Sequence, residues 1–600
     1  MDLFFADARD LPAALPWKSA RAEVFAVCPD DLSHWLCGRR GLPGEIINAE
    51  STIVPRESWD EVVGLSTRLA ASWYNDPDGR DFTSYQGISL GWLLAGLSWS
   101  ETFGGTYRFA ESVLRLFQEH SPKTVWAAGG LAPYKKALVE SACRRFKTPL
   151  RWQWLERRPP PDHSLTKDFC NWPLRNGTWL RSLLNMAPRS PFRSSPEGKK
   201  RILASYYFTI HRLIGALGME QDIEPVFYDW PGRRLPKLPA WRKWRFLTAP
   251  RRAGLSEDGR KALAGMSRRF EDLSRSRRYQ QAFSFRGLDC WEAARLRLSR
   301  IVAEDLPLLA DAVEAVGEAL DREPPDLVLV PYDSSPSERL LLEAARRRGI
   351  PSALMAHGIA SVPRNPIEDV CADRLLVWGP AMADCYADIG FPRERIIVTG
   401  HPLLDSYPGL TRRPGPRGGP VRILFASSYL PIERNVGKVL DILRRFSGVS
   451  VTFKLHPGEP LVPYQRILAG RLDDGCRLEW RRPMEELLLE ADLVLSGPST
   501  AVIEAATLGI PIMLLNLERM KLGPPYYGGW GLDPIESLEE LEERLRGLLP
   551  DRVPASADYS GLLEAFAGRP DGLSTRRAVD ALKGLLKVRP ATGTSATAPG

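Results

Sequence analysis

The sequence predicts an α/β protein in which two Rossmann-like parallel-sheet domains face each other across a cleft, with an extra N-terminal α/β region before them. Three observations carry this. Short apolar runs alternate with amphipathic helical patterns from residue 198 to about residue 516, and such alternation builds parallel sheets with crossover helices. The stretch "GLTRRPGPRGGPV" interrupts the alternation and reads as a hinge. At 600 residues the chain exceeds what one hydrophobic core covers.

In chain order, residues 1–195 form an accessory or acceptor region. It holds the strand "KTVWAAGG", a Gly turn and the amphipathic helix "APYKKALVESACRRF". The segment "YQGISLGWLLAGLSWSETFGGTYRFAESVLRLFQEH" reads as helix packed on more than one face, and "RRPPPDHS" and "PRSPFRSSPEGKK" as a linker. Residues 198–405 form the first Rossmann-like domain: strand "KRILASYY", a helix from Thr209 to Met219 and strand "EPVFYDW". Long helices follow from Ser256 to Arg277 and from Gly287 to Ala319. Next come a strand over 326–331, a helix over 336–348, a strand over 351–356, and "DRLLVWG", "AMADCYADIG" and "RIIVTGHP". Residues 418–580 repeat the alternation from "VRILFASS" through "VSVTFKLHP", "RLEW" and "DLVLS" to "PIMLLN". Residues 588–600, "TGTSATAPG" among them, have nothing to bury and read as a disordered tail.

Composition removes several classes. With 26% charged and 44% hydrophobic residues the chain is ordinary globular material. It shows no basic leader before an apolar core and no apolar run of roughly 20 residues, so a cytoplasmic location is expected. Eight scattered cysteines without a CxxC pair fit neither a disulfide framework nor a zinc knuckle. The net charge of +8 is modest, and no nucleic-acid partner is expected because no recognition fold accompanies it. The segment 231–256 is different: it carries eight Arg or Lys, no acid, and Trp241, Trp244, Phe246 and Leu247. Such a segment suits an anionic membrane surface, with arginines on phosphates and tryptophans at the headgroups; a solvated basic loop is the plainer alternative.

The chemistry is expected at the carboxyl ends of the strands, where parallel sheets bind ligands. Of seven histidines, three end strands: His357, His401 and His456. The loop Ser496-Gly497-Pro498-Ser499-Thr500 stops one strand and opens a helix. Its uncapped N–H groups, the helix dipole and the Ser499 and Thr500 hydroxyls suit a phosphate, although Ser or Thr there also serves as an ordinary N-cap. Glu504 lies one turn on, where it would either accept from ribose hydroxyls or stand as a solvated helix residue. Ser427 and Lys454 end neighbouring strands and complete the expected cleft. The sequence "DPD" at 76–78 sits in a polar turn and reads as loop. GxGxxG after a strand, GxxxxGK[ST], HExxH and GxSxG are all missing, which disfavours dinucleotide redox, P-loop, zincin and α/β-hydrolase chemistry.

The ordered set "HGIAS", "VWGPAMADCYADIGFPRERIIVTGHPLLDSY", "KLHPGE" and "DLVLSGPSTAVIEAATLGIPIMLLN" resembles the GT-B glycosyltransferases of bacterial surface polysaccharides. The likeness is to the capsule polysaccharide (Kdo and sialyl) transferases and the CDP-glycerol glycerophosphotransferases; the pattern is also similar to the UDP-N-acetylglucosamine 2-epimerases. The resemblance covers about 325–520 well and residues 1–195 hardly at all. It implies that His456 and Pro457 contact the nucleotide phosphates, that Ser499 and Thr500 bind them with Ser496 and Gly497, and that Glu504 lies near the ribose. It implies His357 as general base, with Asp333 as the alternative. An imidazole titrating near neutrality suits deprotonation of an acceptor hydroxyl. Neither metal nor cofactor is expected, since helix dipole, hydroxyls and His456 would meet the leaving phosphate.

The resemblance therefore implies a glycosyltransferase or glycerophosphotransferase working on a CMP-, CDP- or UDP-linked donor and a polysaccharide or lipid-linked acceptor, with peripheral contact to the inner face of the plasma membrane. A 2-epimerase acting on the sugar nucleotide alone, and an inactive nucleotide-binding assembly protein, are the alternatives.

Overall fold

Residues 2–5, 24–28, 46–48, 56–128, 130–153, 198–205, 210–229, 245–248, 255–359, 370–410, 419–427, 433–456, 459, 461, 464–465, 468–473, 475–523, 530–549, 553–554, 556–568 and 570–587 are described by the computed structural model. Pro457 and Gly458, Trp241 and Trp244, the linker over 154–197 and the tail over 588–600 lie outside them.

Among the described residues three parallel sheets form the frame. The first runs Ile46–Asn48, Val24–Cys28, Asp2–Phe5, Thr124–Ala128, Leu150–Gln153. The second runs Arg245–Thr248, Ile223–Asp229, Lys200–Ser205, Leu327–Val330, Ser352–Met355, Arg374–Val377, Ile396–Val398. The third runs Cys476–Glu479, Val449–Lys454, Val421–Ala426, Leu493–Ser496, Ile512–Leu514. Strands such as Leu327–Val330 and Leu493–Ser496 are buried at every position, which is what helices on both faces of a parallel sheet impose.

The second and third sheets make the GT-B-like pair that the sequence predicts, and the chain crosses between them twice. It leaves the second sheet through the 3₁₀ run Pro402–Gly409. It returns after the third, where helix Ser574–Lys587 packs on helix His211–Leu217 and on that 3₁₀ run. Arg577 Nε donates to Thr399 O at 2.8 Å, and Lys583 Nζ reaches Glu220 at 2.7 Å and Asp222 at 2.9 Å. One apolar core runs through the first two sheets and the face of the third that bears helices Met484–Glu490 and Thr500–Thr507. A separate core fills the opposite face around Phe425, Phe453 and Leu440. Among the described residues no helix is long and apolar enough to cross a membrane.

Three segments differ from expectation. "YQGIS" at 85–89, expected to open a helix, closes the hairpin Ser84–Tyr85 with Ile88–Ser89, its turn at Gln86-Gly87 having positive φ. The single helix expected from Gly287 to Ala319 is a hairpin strand Leu288–Asp289, a helix Trp291–Arg300, a π-helical turn Ile301–Asp305 and a helix Leu306–Arg322. Pro307 stands in the first turn of that last helix, where a proline is tolerated but cannot continue the ladder behind it. Within the basic segment, Arg245–Thr248 is an edge strand paired in parallel with 226–229, so Phe246 and Leu247 belong to the sheet and not to a surface loop. The polar turn at 76–78 is confirmed. Asp76 accepts from the backbone N–H of Asp78 and Arg80 and from Arg269 Nη2 at 2.6 Å.

The first two sheets carry the same elements in the same order. In each, a helix preceded by a serine (Trp59–Ser72 behind Ser58, Glu257–Arg275 behind Ser256) leads to a two-residue hairpin (Ser84–Tyr85 with Ile88–Ser89, Ser284–Phe285 with Leu288–Asp289). A π-helical turn (Ser98–Gly104, Ile301–Asp305) and a long helix (Gly105–His120, Leu306–Arg322) follow. Then come a strand, a helix opened by proline (Pro133–Phe146, Pro336–Arg346), and a second strand. Five strands of the second sheet match the first in spatial order. The sequence reading did not find this repeat.

Candidate functional site

The third sheet brings three loops to one edge. Ala426 pairs with Lys454 on one side and Ser496 on the other. Ser427, Leu455-His456 and Gly497 are therefore neighbours, with about 4.8 Å between adjacent strands. Ser427 is buried and organises the first two: its hydroxyl accepts from His456 N at 2.8 Å and donates to Glu459 Oε2 at 2.5 Å. Glu459 also accepts from Tyr464 OH at 2.6 Å. Burial raises the Glu459 carboxyl above its ordinary range, and lowers both His456, helped by Lys454, and the Lys454 ammonium. His456 accordingly reaches neutrality as an uncharged imidazole. Glu459, part of the quoted "KLHPGE", was not singled out from sequence; a carboxylate three residues past a strand-end histidine was the available signal.

The next loop opens helix Thr500–Thr507. Ser499 occupies the N-cap in extended backbone, but its side chain makes no capping bond; it lies 3.1 Å from Ser496 Oγ. The Ser499 side chain thus caps none of the first N–H groups of the helix, and Val502 N donates to Ser499 O at 3.2 Å. Glu504 faces the other way. Its carboxyl accepts from Tyr407 OH at 2.5 Å in a buried bond, and burial pushes it up to about 7. Tyr407 belongs to the 3₁₀ run Pro402–Gly409 through which the chain leaves the second sheet, so this bond ties helix Thr500–Thr507 to that run.

On the second sheet, His357 follows strand Ser352–Met355. It is exposed, its Nδ1 lies 3.2 Å from Pro331 O, and Tyr332 stands edge-on at 5.3 Å. With the proton on Nδ1 donated to that carbonyl, the lone pair is on Nε2. Asp333 is only 3% exposed, and its Oδ2 accepts from Cys371 N at 2.8 Å. Behind it, Glu338 accepts from Ser205 at 2.6 Å and from the Ser335 and Ser337 hydroxyls. Arg339, 1% exposed, donates to Asp333 O at 2.7 Å. None of Ser335, Ser337, Glu338 and Arg339 was picked out from sequence, because each reads as an ordinary helix-start residue. His401 stacks on Trp378 at 3.8 Å with 8° between the rings. Its Nδ1 accepts from Leu403 N at 3.4 Å, its Nε2 is buried without a partner, and burial, with His357 nearby, pushes it down to about 3. His401 is thus a neutral, packed ring.

The two halves meet. A Cβ placed on Gly358 would lie 3.8 Å from Thr500 Oγ1, so the His357-Gly358 loop and the opening of helix Thr500–Thr507 confront each other directly. Pro457 lies outside the described residues, as stated. Among the described residues no group of three His, Cys, Asp or Glu is spaced to hold a metal ion.

No protein-family model matches this sequence, and no curated protein matches it. Among solved structures, the UDP-GlcNAc 2-epimerase from Neisseria meningitidis bound to UDP-GlcNAc is 14% identical with a TM-score of 0.40, over 64% of this chain and 100% of that one. The S. aureus MnaA–UDP co-structure gives 15% identity and a TM-score of 0.41 over 64% and 97%. The lipopolysaccharide outer core galactosyltransferase WaaB, in its apo form, gives 12% and 0.37 over 64% and 99%.

Proposed function

We propose that the chain is a GT-B type glycosyltransferase that moves a sugar from a CMP-, CDP- or UDP-linked donor to a growing bacterial surface polysaccharide or lipid-linked glycan. The observation that carries this is the confrontation of Gly358 with Thr500 across the cleft. It puts a base-competent imidazole on one wall and an uncapped, hydroxyl-flanked helix N-terminus on the other.

In this reading the N–H groups of helix Thr500–Thr507 and the hydroxyls of Ser499, Thr500 and Ser496, with the Gly497 backbone, hold the donor phosphates. His456, uncharged, donates a hydrogen bond to them, positioned by Ser427 and flanked by Lys454; Pro457 shapes the same turn. The acceptor hydroxyl gives its proton to His357 Nε2 as its oxygen bonds the anomeric carbon, and the electron pair of the broken sugar–oxygen bond stays on the nucleotide phosphate. Asp333, whose Oδ2 accepts from Cys371 N, is in this reading the alternative base. Glu504 bonds the 3₁₀ run Pro402–Gly409 here, so ribose recognition by it requires release of Tyr407.

Thermal unfolding with CMP, CDP, UDP and GDP nucleotides is the first test: one of them raises the midpoint, and failure of all four overturns the reading. Incubation with UDP-N-acetylglucosamine and no acceptor is the second. Formation of the 2-epimer there replaces the transferase with an epimerase. If His357→Ala and Asp333→Ala leave glycan production intact while truncation abolishes it, an assembly role replaces both.

A further inference from the structure

The repeated elements of the first and second sheets also touch each other in matched pairs. Arg347, past the end of helix Pro336–Arg346, donates to Gln86 O at 2.9 Å and Gly87 O at 2.5 Å in the first hairpin. Arg145, near the end of the corresponding helix, donates to Arg286 O in the second hairpin. Ser58 Oγ donates to Glu111 at 2.7 Å and Ser256 Oγ to Glu314 at 2.6 Å. Each of these carboxylates also meets the opposite hairpin: Glu111 lies 3.9 Å from Arg286 Nη1, and Glu314 accepts from Tyr85 OH. Helix Leu90–Leu93 packs on helix Pro336–Arg346, and helix Trp291–Arg300 packs on helix Pro133–Phe146. Contacts in which i meets j while the counterpart of j meets the counterpart of i are the signature of a two-fold, self-complementary interface.

The two copies are not equal where the chemistry is. At the positions of Asp333, Ser335, Ser337, Glu338 and Arg339 the first copy has Gly130, Ala132, Tyr134, Lys135 and Lys136: both acids and both serines of the cleft loop are missing. The first copy instead presses on the loop that kept them. A Cβ on Gly96 would overlap the carbonyl oxygen of Ser334. The buried Arg339 guanidinium lies 4.9 Å over the Trp92 ring, donates to Trp92 O at 3.0 Å, and through Nε holds Asp333 O. On the reverse side of the interface Arg297 covers the Tyr134 ring at 4.4 Å, away from the cleft.

We infer that the described residues of 2–153 are a second copy of those of 200–355, joined to them about an approximate two-fold axis, and that this copy is the positioning element for cleft loop 331–339, with Trp92, Gly96 and Arg339 as its positioning residues. The inference rests on the proposed function only in taking that loop as the acceptor side.

The test is backbone hydrogen exchange on the full chain, comparing wild type with Trp92→Ala, Gly96→Ala and, on the reverse side, Arg297→Met. Peptides covering 331–339 are expected to exchange at least about tenfold faster in Trp92→Ala and Gly96→Ala, with 493–500 unchanged and with Arg297→Met like wild type at 331–339. Turnover falls about 10- to 100-fold in the same two variants at unchanged KM for the donor. Unchanged exchange at 331–339 in both variants, or an equal rise in Arg297→Met, overturns the inference. If Trp92→Ala fails to fold, Gly96→Ala against Arg297→Met decides alone. A wild type that turns over no nucleotide sugar sinks the proposed function, while the exchange result still stands or falls by itself.

Discussion

Glu504 is held protonated in the folded protein at pH values where the same carboxyl is ionised in the unfolded chain. Its folded value is about 7 against an ordinary 4.5. Between those values the native state binds the extra proton, so stability is fully kept below about 4.5, falls as pH rises, and has lost its whole increment above about 7. The increment is at most about 3 kcal/mol. Glu504→Gln keeps an acceptor for Tyr407 and removes the ionisation. Urea unfolding should show it equal to wild type near pH 4.5 and more stable at pH 8; a flat difference across that range would exclude the buried proton. At the cleft, His357→Ala is expected to lower turnover by about 10²- to 10⁴-fold while a stabilising nucleotide still raises the unfolding midpoint. Thr500→Val and Ser499→Ala should do the reverse, each weakening nucleotide binding by about 1 kcal/mol in titration calorimetry.

At the scale of elements, the two hairpins turn on Gln86-Gly87 and Arg286-Gly287, all four at positive φ (48°, 76°, 46° and 75°). That is the turn whose twist matches a right-handed ladder. Gly87→Ala adds a Cβ 2.6 Å from Arg347 Nη2 to a left-handed backbone, and Gly287→Ala strains the matching turn. Each should cost about 1–2 kcal/mol in chemical denaturation. These turns also show where sequence reading stopped. "YQGI" at 85–88 and "FRGL" at 285–288 are the same hairpin, but only the glycine is shared, and turn geometry demands a glycine without demanding its neighbours. Long periodic elements such as Pro133–Phe146 and Leu493–Ser496 were legible because apolar spacing alone specifies them. The strand-end histidines and the Ser499-Thr500 opening were legible because loop chemistry is local. Arg339 and the Tyr407 bond to Glu504 were not, since the partners concerned lie 247 and 97 residues apart and nothing in a local pattern selects them.

Across the whole molecule, the third sheet is tied to the others by unequal fastenings. Surface pairs join it to the first copy: Lys521 Nζ with Asp60 at 2.8 Å, and Arg56 with Glu536. Such exposed pairs contribute about 0–1 kcal/mol. The return helix Ser574–Lys587 buries Ala578, Val579 and Leu582. Lys521→Met should therefore leave the urea midpoint nearly unmoved, whereas Leu582→Ala should cost about 2–5 kcal/mol. A larger loss from the surface pair would reassign the fastening.

The near contact between Gly358 and Thr500, with Tyr407 bonded to Glu504 behind it, also sets a rate. If that helix end holds the donor phosphates as proposed, a nucleotide reaches them only once the His357-Gly358 loop has drawn back. In stopped-flow mixing the observed association rate should then level off with rising ligand instead of climbing linearly, the plateau being the opening rate itself. Tyr407→Phe, which removes one restraint on opening, should raise that plateau.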